Sequence, residues 1–123
     1  MDKRSIVHLE IVAKDPSVSS KFYGDVFGWK IEHSGPPFNY TMFQSGNVPG
    51  GFPGVHEKMY QAGDVIVYIG SDDLAADAKR IVAAGGKMLG EPVEIPGMGF
   101  FQFFSDPSGT RLALWKTVPG QPA

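Results

Sequence analysis

The order of elements in the chain occurs twice, and this repeat constrains the fold more than any other feature. Residues 5–12 alternate between apolar and polar side chains, as a strand does, and a helix start at Asp15 and a glycine stop at Gly28 follow. The same order returns with an offset of 58 residues, which aligns Asp15 with Asp73 and Gly28 with Gly86. Strand-like segments follow the glycine in both halves. The sequence therefore predicts an α+β fold built from two βαβββ modules.

The two modules are predicted at about 5–55 and 64–116, within a single domain that spans residues 1–123. One helix per module covers one face of about four strands and leaves the other face uncovered. Two such sheets side by side would form an eight-stranded, incompletely closed barrel, a cup able to take a small molecule. A generic ferredoxin-like sandwich, in which strand–helix–strand units also recur, is the alternative.

Two segments carry more specific expectations. The first helix has apolar residues at two helical spacings, Val18, Phe22 and Val26 on one and Phe22, Tyr23 and Phe27 on the other, an apolar stripe typical of a helix that packs against a sheet. The segment 46–55 is predicted to contain a short fourth strand. Its glycine-rich part, 48–54, is not expected to be regular throughout and is predicted to be a bend between strands, with a mobile lid as the alternative. In the second half, residues 87–95 are predicted to hold one strand.

Composition excludes several classes of function. The chain has no cysteine, so thiolate metal sites and cysteine nucleophiles are excluded. The net charge is -2 and no basic stripe is present, so we expect no nucleic-acid partner. No apolar run approaches the roughly 20 residues that span a bilayer, and no secretory signal is visible at the start. We expect a cytoplasmic protein without a membrane partner.

Several runs, in a consistent order, resemble the glyoxalase / bleomycin-resistance / dioxygenase (vicinal oxygen chelate) superfamily, and most closely its small single-domain branch related to lactoylglutathione lyase. The resemblance covers residues 5–116, and its runs are Val7–Ile11, Phe22–Trp29, Ser71–Leu74, Ala83–Lys87, Ile95–Phe100 and Ser105–Gly109. It implies a lyase or isomerase, or a metal-free protein that binds a small molecule. It also implies a homodimer in which modules of two chains form shared clefts.

The resemblance implies a divalent metal held by one ligand from each of four strands, usually His, Glu or Gln, His and Glu. His8 matches the first position, but Ile66 and Ala113 stand at the second His and the last Glu positions. Gln44 is the remaining side chain able to chelate on the third strand, and His56 and Glu57 contribute only if their loop folds inward. We therefore predict no metal and no other cofactor, with a divalent metal as the alternative.

His8 and Glu10 are the candidate catalytic residues. Their i, i+2 spacing places both on one face of a strand, where a carboxylate would keep the imidazole titrating near physiological pH. The alternative is that they satisfy each other as buried polar groups. The candidate ligand-binding residues are polar or aromatic strand residues: Gln44, Tyr68, Gln102, Arg111 and Trp115. Three functions stay open: a lyase or isomerase, a metal-free binding protein, and a non-catalytic dimeric scaffold.

Overall fold

The computed structural model describes residues 4–36 and 39–118, which form two helices and nine strands in a mixed α+β arrangement. The elements, in chain order, are β1 (Ile6–Ile11), α1 (Pro16–Phe27), β2 (Lys30–His33), β3 (Thr41–Ser45), β4 (Val48–Gly51), β5 (Val65–Gly70), α2 (Leu74–Ala83), β6 (Lys87–Met88), β7 (Val93–Ile95), β8 (Gly99–Ser105) and β9 (Arg111–Thr117). No helix among these described residues is long and apolar enough to cross a membrane. The chain divides into two compact units, one of residues 8–66 and one of residues up to 7 together with those from 67 onward.

The strands of the first unit lie in the order β2-β3-β4-β1. Strands β2, β3 and β4 pair antiparallel, whereas β4 and β1 pair parallel, with Leu9 opposite Gly50 and Glu10 opposite Gly51. A parallel pair needs a crossover connection, and the segment through α1, β2 and β3 provides it. This is one complete βαβββ module.

The strands of the second unit lie in the order β6-β8-β9-β5, with β7 also paired to β8. Here β5 and β9 are the parallel pair, and β8 pairs antiparallel with β6 and β9. When β6 and β7, which both pair with β8, are counted together as the second strand of their module, both units have the strand order 2-3-4-1. The prediction of an α+β fold from two βαβββ modules is therefore confirmed, whereas the closure into a cup and the single domain over 1–123 stay predictions.

Two of the expected segments differ from the structure. The strand predicted over 87–95 is interrupted, because Pro92 has no backbone N–H to donate to a neighbouring strand, and two short strands replace it. The short fourth strand predicted within 46–55 is confirmed as the regular strand β4, Val48–Gly51, between β3 and β1, and the bend or lid predicted over 48–54 does not include these four residues.

The helix boundaries agree with the signals in the sequence. The Asp15 side chain caps α1 by accepting hydrogen bonds from both the backbone N–H and the hydroxyl of Ser17. Gly28 ends α1 with a φ of 73°, a left-handed conformation that glycine adopts without steric cost. Asp73 caps α2 through the Ala76 N–H.

The packing of α1 differs in part from the stripe that its sequence predicts. Tyr23 packs against the core and Ser20 is buried, whereas Val18, Phe22, Val26 and Phe27 are exposed. Small residues on the inward face let α1 approach the sheet closely, and a Cβ added to Gly24 would already contact Ile31 at 3.4 Å. The core of this unit consists of Ala13, Phe43 and Phe52, with partly buried Leu9, Ile11, Tyr23, Trp29 and Ile31 packed against it.

Candidate functional site

The polar face of β1 lies opposite the core of the first unit. Leu9 and Ile11 pack against that core, so the alternation of the strand turns His8 and Glu10 to the other face, as predicted. Tyr40, just before β3, joins these two side chains. Its hydroxyl donates a 2.6 Å hydrogen bond to Glu10 Oε2 and lies 3.0 Å from His8 Nε2. The His8 and Tyr40 rings are nearly parallel, with centroids 6.3 Å apart.

Gly51 makes room for this arrangement. It lies opposite Glu10 in the β1–β4 pairing, so any side chain at position 51 would share the face of Glu10. A Cβ built there would lie 1.8 Å from the Tyr40 hydroxyl oxygen and 2.0 Å from Cζ. The glycine therefore provides the space in which the tyrosine reaches the carboxylate.

The protonation of the three groups follows from their surroundings. Burial raises the pKa of Tyr40, and the nearby Glu10 carboxylate raises it further, so Tyr40 keeps its proton. Since that proton is donated to Glu10, the Tyr40 oxygen is an acceptor for His8, and Nε2 is the protonated nitrogen of the imidazole. Burial also lowers the pKa of His8 from 6.5, and the Glu10 charge offsets this only in part. His8 is therefore mainly neutral near pH 7.

Tyr60, in the turn after β4, makes a further contribution to the raised pKa of Tyr40. His56 and Glu57 are exposed in the same turn, and His56 Nδ1 accepts a 3.2 Å hydrogen bond from the Lys58 amide. The His56 imidazole is therefore hydrogen-bonded to the backbone of its own turn.

Three of the predicted ligand-binding residues share one face of the second unit. Leu114 packs with α2 in the core of this unit, so the neighbouring positions of β9, Arg111 and Trp115 among them, face the other way. Tyr68 lies opposite Ala113 in the β5–β9 pairing and is therefore on this same face. Its ring meets that of Phe101 edge-on, at a centroid distance of 6.2 Å.

The polar groups of this face already have contacts within the unit. The Arg111 guanidinium stacks over the Phe103 ring at 4.6 Å from its centroid, and the Trp115 indole N–H donates to the Thr117 hydroxyl at 2.9 Å. The aromatic surface is therefore held in place by neighbouring side chains. Whether it contacts a ligand stays a prediction.

The two glutamines occupy other surroundings. Gln102 lies opposite Leu114, on the face that packs against α2, and its amide donates a 2.8 Å hydrogen bond to the Gly90 carbonyl. Gln44 is exposed, and its amide donates to the Gly46 carbonyl at 2.9 Å. Both amides thus fix the backbone of nearby turns.

The residues present do not fit the four-ligand metal site that the resemblance implies. No group of three or more His, Asp or Glu side chains that suits a metal ion occurs in the parts of the chain that the structure describes. Ile66 and Ala113, at two of the ligand positions, are 1% and 0% exposed and carry no donor atom. His8 Nε2, at the first position, is hydrogen-bonded to Tyr40.

Sequence reasoning missed the residue that organises the site. Neither Tyr40 nor Gly51 was among the candidate residues. A signal was present, because two consecutive glycines, Gly50 and Gly51, occur where a strand was expected, and glycine inside a strand often marks a close approach of other atoms.

Comparisons with known proteins extend these observations. Residues 5–114 match the family described as the Glyoxalase/Bleomycin resistance protein/Dioxygenase superfamily. A Mycobacterium tuberculosis protein named "Putative glyoxylase CFP32" is 30% identical over 127 residues, which cover 95% of this chain and 46% of the relative. "Anthracycline biosynthesis protein DnrV" of Streptomyces peucetius is 26% identical over 132 residues, covering 87% of this chain and 45% of the relative. The chain thus spans about half the length of the curated relatives it matches.

Solved structures show the same fold at lower sequence identity. The methylmalonyl-CoA epimerase of Mycobacterium tuberculosis has a TM-score of 0.68 and 17% identity, with 93% of this chain and 88% of that chain covered.

Proposed function

Because the chain belongs to the glyoxalase/bleomycin resistance protein/dioxygenase superfamily, we propose that it binds a small oxygenated organic molecule through His8, Tyr40 and Glu10. We further propose that binding does not need the four-ligand metal site. The observation that carries this function is the hydrogen-bonded chain from His8 through Tyr40 to Glu10, at the position of the family's first metal ligand. Three polar side chains joined in this way form an ordered recognition group.

The chemistry of the group defines the ligand that it suits. Glu10 supplies carboxylate oxygens, which accept hydrogen bonds, and His8 supplies a neutral imidazole. A hydroxyl or ammonium group of a ligand would therefore complement this site.

The names of similar proteins supply three probe molecules of this chemistry. S-lactoylglutathione follows from the lactoylglutathione lyase resemblance, methylmalonyl-CoA from the structurally similar epimerase, and an anthracycline from the relative DnrV. All three carry oxygenated groups, and the anthracycline adds a planar ring system.

Calorimetric titration of these probes, with a chelator or with added Zn²⁺ or Ni²⁺, tests the proposal. We expect at least one probe to bind to the protein when the chelator is present. Tyr40→Phe should weaken that binding on the order of tenfold, because one hydrogen bond of about 1.4 kcal/mol is lost from the group. The control is Tyr23→Phe, which removes a hydroxyl from the core side of the same unit. Binding that requires added metal, or absence of binding by all three probes, would contradict the proposal.

Proton transfer is a second candidate function, favoured by the neutral state of His8. A neutral imidazole that is linked through Tyr40 to a carboxylate can accept a proton from carbon and return it, which is the chemistry of an epimerase or isomerase. Incubation with methylmalonyl-CoA in D₂O, followed by NMR, would show deuterium at the acidic carbon if the transfer occurs. Loss of this exchange in Glu10→Gln would assign it to the group, whereas exchange at the uncatalysed rate leaves binding as the function.

We also propose that the protein is located in the cytoplasm. Cell fractionation that recovers the protein with the membranes would contradict it.

A further inference from the structure

Tyr40 lies just outside the regular pairing of its sheet. The ladder between β2 and β3 ends at His33 and Thr41, whose side chains also meet, with His33 Nδ1 2.9 Å from Thr41 Oγ1. On its other side Tyr40 follows Asn39, which has a left-handed φ of 47°. The chain therefore changes direction immediately before Tyr40, and strand pairing alone does not determine where this residue lies.

One side chain holds the backbone of Tyr40 at this point. The Ser34 hydroxyl accepts a 3.0 Å hydrogen bond from the Tyr40 N–H and donates one of 3.2 Å to the Tyr40 carbonyl. The Ser34 N–H donates to the same carbonyl at 2.8 Å. We call these three hydrogen bonds the Ser34 clamp. Both backbone polar groups of Tyr40 are therefore bonded to one residue.

The second module holds the counterpart of Tyr40 in a different way. The pairing registers of the two modules make Phe101 that counterpart. Phe101 lies within β8 and is paired on both sides, with Val93 and with Trp115. Strand pairing thus fixes the backbone of Phe101, whereas a serine hydroxyl fixes that of Tyr40, which precedes β3. The Ser34 clamp is therefore specific to the residue that bears the site hydroxyl.

Building on the binding function proposed above, we propose that Ser34 is a positioning residue for the site and acts through Tyr40. The Tyr40 ring fills the space over Gly51, where a Cβ would lie 2.0 Å from its Cζ, and its hydroxyl lies 2.6 Å from Glu10 Oε2. A ring packed this closely moves with its backbone, and a short hydrogen bond needs a well-placed donor. The Ser34 clamp therefore keeps the Tyr40 hydroxyl within reach of both Glu10 and His8.

The geometry also defines what loss of the Ser34 hydroxyl does. The Tyr40 N–H loses its acceptor, while the backbone hydrogen bond from residue 34 to the Tyr40 carbonyl remains. The turn is therefore retained, and the consequence is a displaced Tyr40 in a folded chain.

Nitrogen-15 NMR of the His8 ring in the ligand-free protein tests this role. In Ser34→Ala we expect the His8 signals to move part of the way towards their positions in Tyr40→Phe. Ser45→Ala is the matched control, because Ser45 is also half-buried, lies at the other end of β3 and has no side-chain hydrogen bond within the described residues. Unchanged His8 signals in Ser34→Ala, or an equal change in Ser45→Ala, would overturn the proposal.

A double variant separates action through Tyr40 from a general effect on the unit. Once position 40 is phenylalanine, Ser34→Ala should change the His8 signals little further, because the two substitutions remove the same contact. A shift as large in the Tyr40→Phe background as in the unchanged chain would contradict action through Tyr40.

Two further substitutions isolate the hydroxyl from the size of the side chain. Ser34→Thr and Ser34→Val introduce side chains of nearly equal size, and the threonine keeps a hydroxyl that the valine lacks. We expect Ser34→Thr to retain the His8 signals of the unchanged chain and Ser34→Val to reproduce those of Ser34→Ala. Equal signals in the two variants would show that the hydroxyl is not the positioning group.

Titration with S-lactoylglutathione, methylmalonyl-CoA and the anthracycline connects this role to binding. In Ser34→Ala we expect the dissociation constant of a bound probe to rise roughly threefold, and not beyond the tenfold rise expected of Tyr40→Phe. If no probe binds the unchanged chain, the binding function fails, while the His8 signals still decide whether Ser34 positions Tyr40. A probe that binds Ser34→Ala as tightly as the unchanged chain would overturn the role of Ser34 in binding.

Discussion

At the scale of single residues, the Tyr40 hydroxyl is the group that contacts both other members of the candidate site, His8 and Glu10. It donates to Glu10 and lies 3.0 Å from His8 Nε2, so its removal leaves two polar neighbours with one partner fewer. Buried polar groups that lose a partner cost more free energy than the bond itself contributed. The same hydroxyl is therefore important for both stability and recognition.

The Tyr40→Phe substitution should lower the free energy of unfolding by about 1–3 kcal/mol, since the buried carboxylate loses its short hydrogen bond. Urea unfolding followed by circular dichroism measures this change. Tyr23→Phe is the matched control: the Tyr23 ring stacks on Trp29 at 4.8 Å, its hydroxyl has no hydrogen-bond partner among the described residues, and we expect a smaller effect. Equal destabilisation by the two substitutions would show that the Tyr40 hydroxyl has no special role.

The titration of His8 should reveal both burial and the neighbouring charge. The folded-state pKa lies below 6.5, so the unfolded chain binds more protons in the window between the two values, and stability is lost as pH falls below 6.5. Proton NMR of the His8 ring should show the lowered pKa. Glu10→Gln should lower it further, because the Glu10 charge raises the His8 pKa. An unchanged His8 pKa in Glu10→Gln would contradict the coupling.

At the scale of elements, strand β4 combines pairing with close packing. Its two glycines, Gly50 and Gly51, lie opposite Leu9 and Glu10. The side chains of Phe43 in β3 and of Tyr40 just before β3 pack over them. A Cβ at Gly50 would lie 2.0 Å from the Phe43 ring, and one at Gly51 would meet the Tyr40 hydroxyl. The strand therefore supports the core on one face and the site on the other.

Gly51→Ala should destabilise the fold by roughly 1–3 kcal/mol, the usual cost of overpacking, and displace Tyr40 from Glu10. Thermal unfolding measures the first effect, and loss of probe binding the second. Gly54→Ala is the control, since a Cβ there meets nothing within 4 Å, and we expect little change. Tolerance of Gly51→Ala with binding intact would show that the tight contact is not required.

Helix α2 is linked to the start of the chain by a buried carboxylate. Asp77 accepts hydrogen bonds from the Ser71 hydroxyl at 2.6 Å and from Arg80 at 2.8 Å, and it pairs with Arg4 at 2.9 Å. Burial raises the Asp77 pKa, but the Ser71 hydrogen bond and the two arginines outweigh it, so the net pKa lies below 3.8.

Because this pKa is lowered on folding, the Asp77 contribution is present above about pH 4 and is lost as pH falls through the folded value. Asp77→Asn should therefore reduce stability at pH 7, by roughly 1–3 kcal/mol, and flatten the fall in stability on acidification. Urea unfolding at several pH values measures both effects. A variant with an unchanged acid profile would contradict this assignment.

At the scale of the whole molecule, the sequence predicts what is encoded locally. The repeat, the Asp15 and Asp73 caps and the Gly28 stop depend on neighbouring residues, and all are confirmed. The link from Tyr40 to Glu10 depends on strand register across 30 residues and was not visible. The inward face of α1 was predicted only in part: Tyr23 packs against the core, but the large apolar residues Val18, Phe22 and Val26 are exposed and the buried residue is the small Ser20.

The central claim is that His8, Tyr40 and Glu10 form a binding site that works without a family metal. Nitrogen-15 NMR of the His8 ring, with chelator present and with each probe added in turn, tests it most directly. We expect a proton on Nε2 in the free protein, and a change in the His8 ring signals when a probe binds. A probe that binds while both His8 nitrogen signals stay unchanged, or that shifts them only after metal is added, would show that these residues do not form a metal-independent binding site.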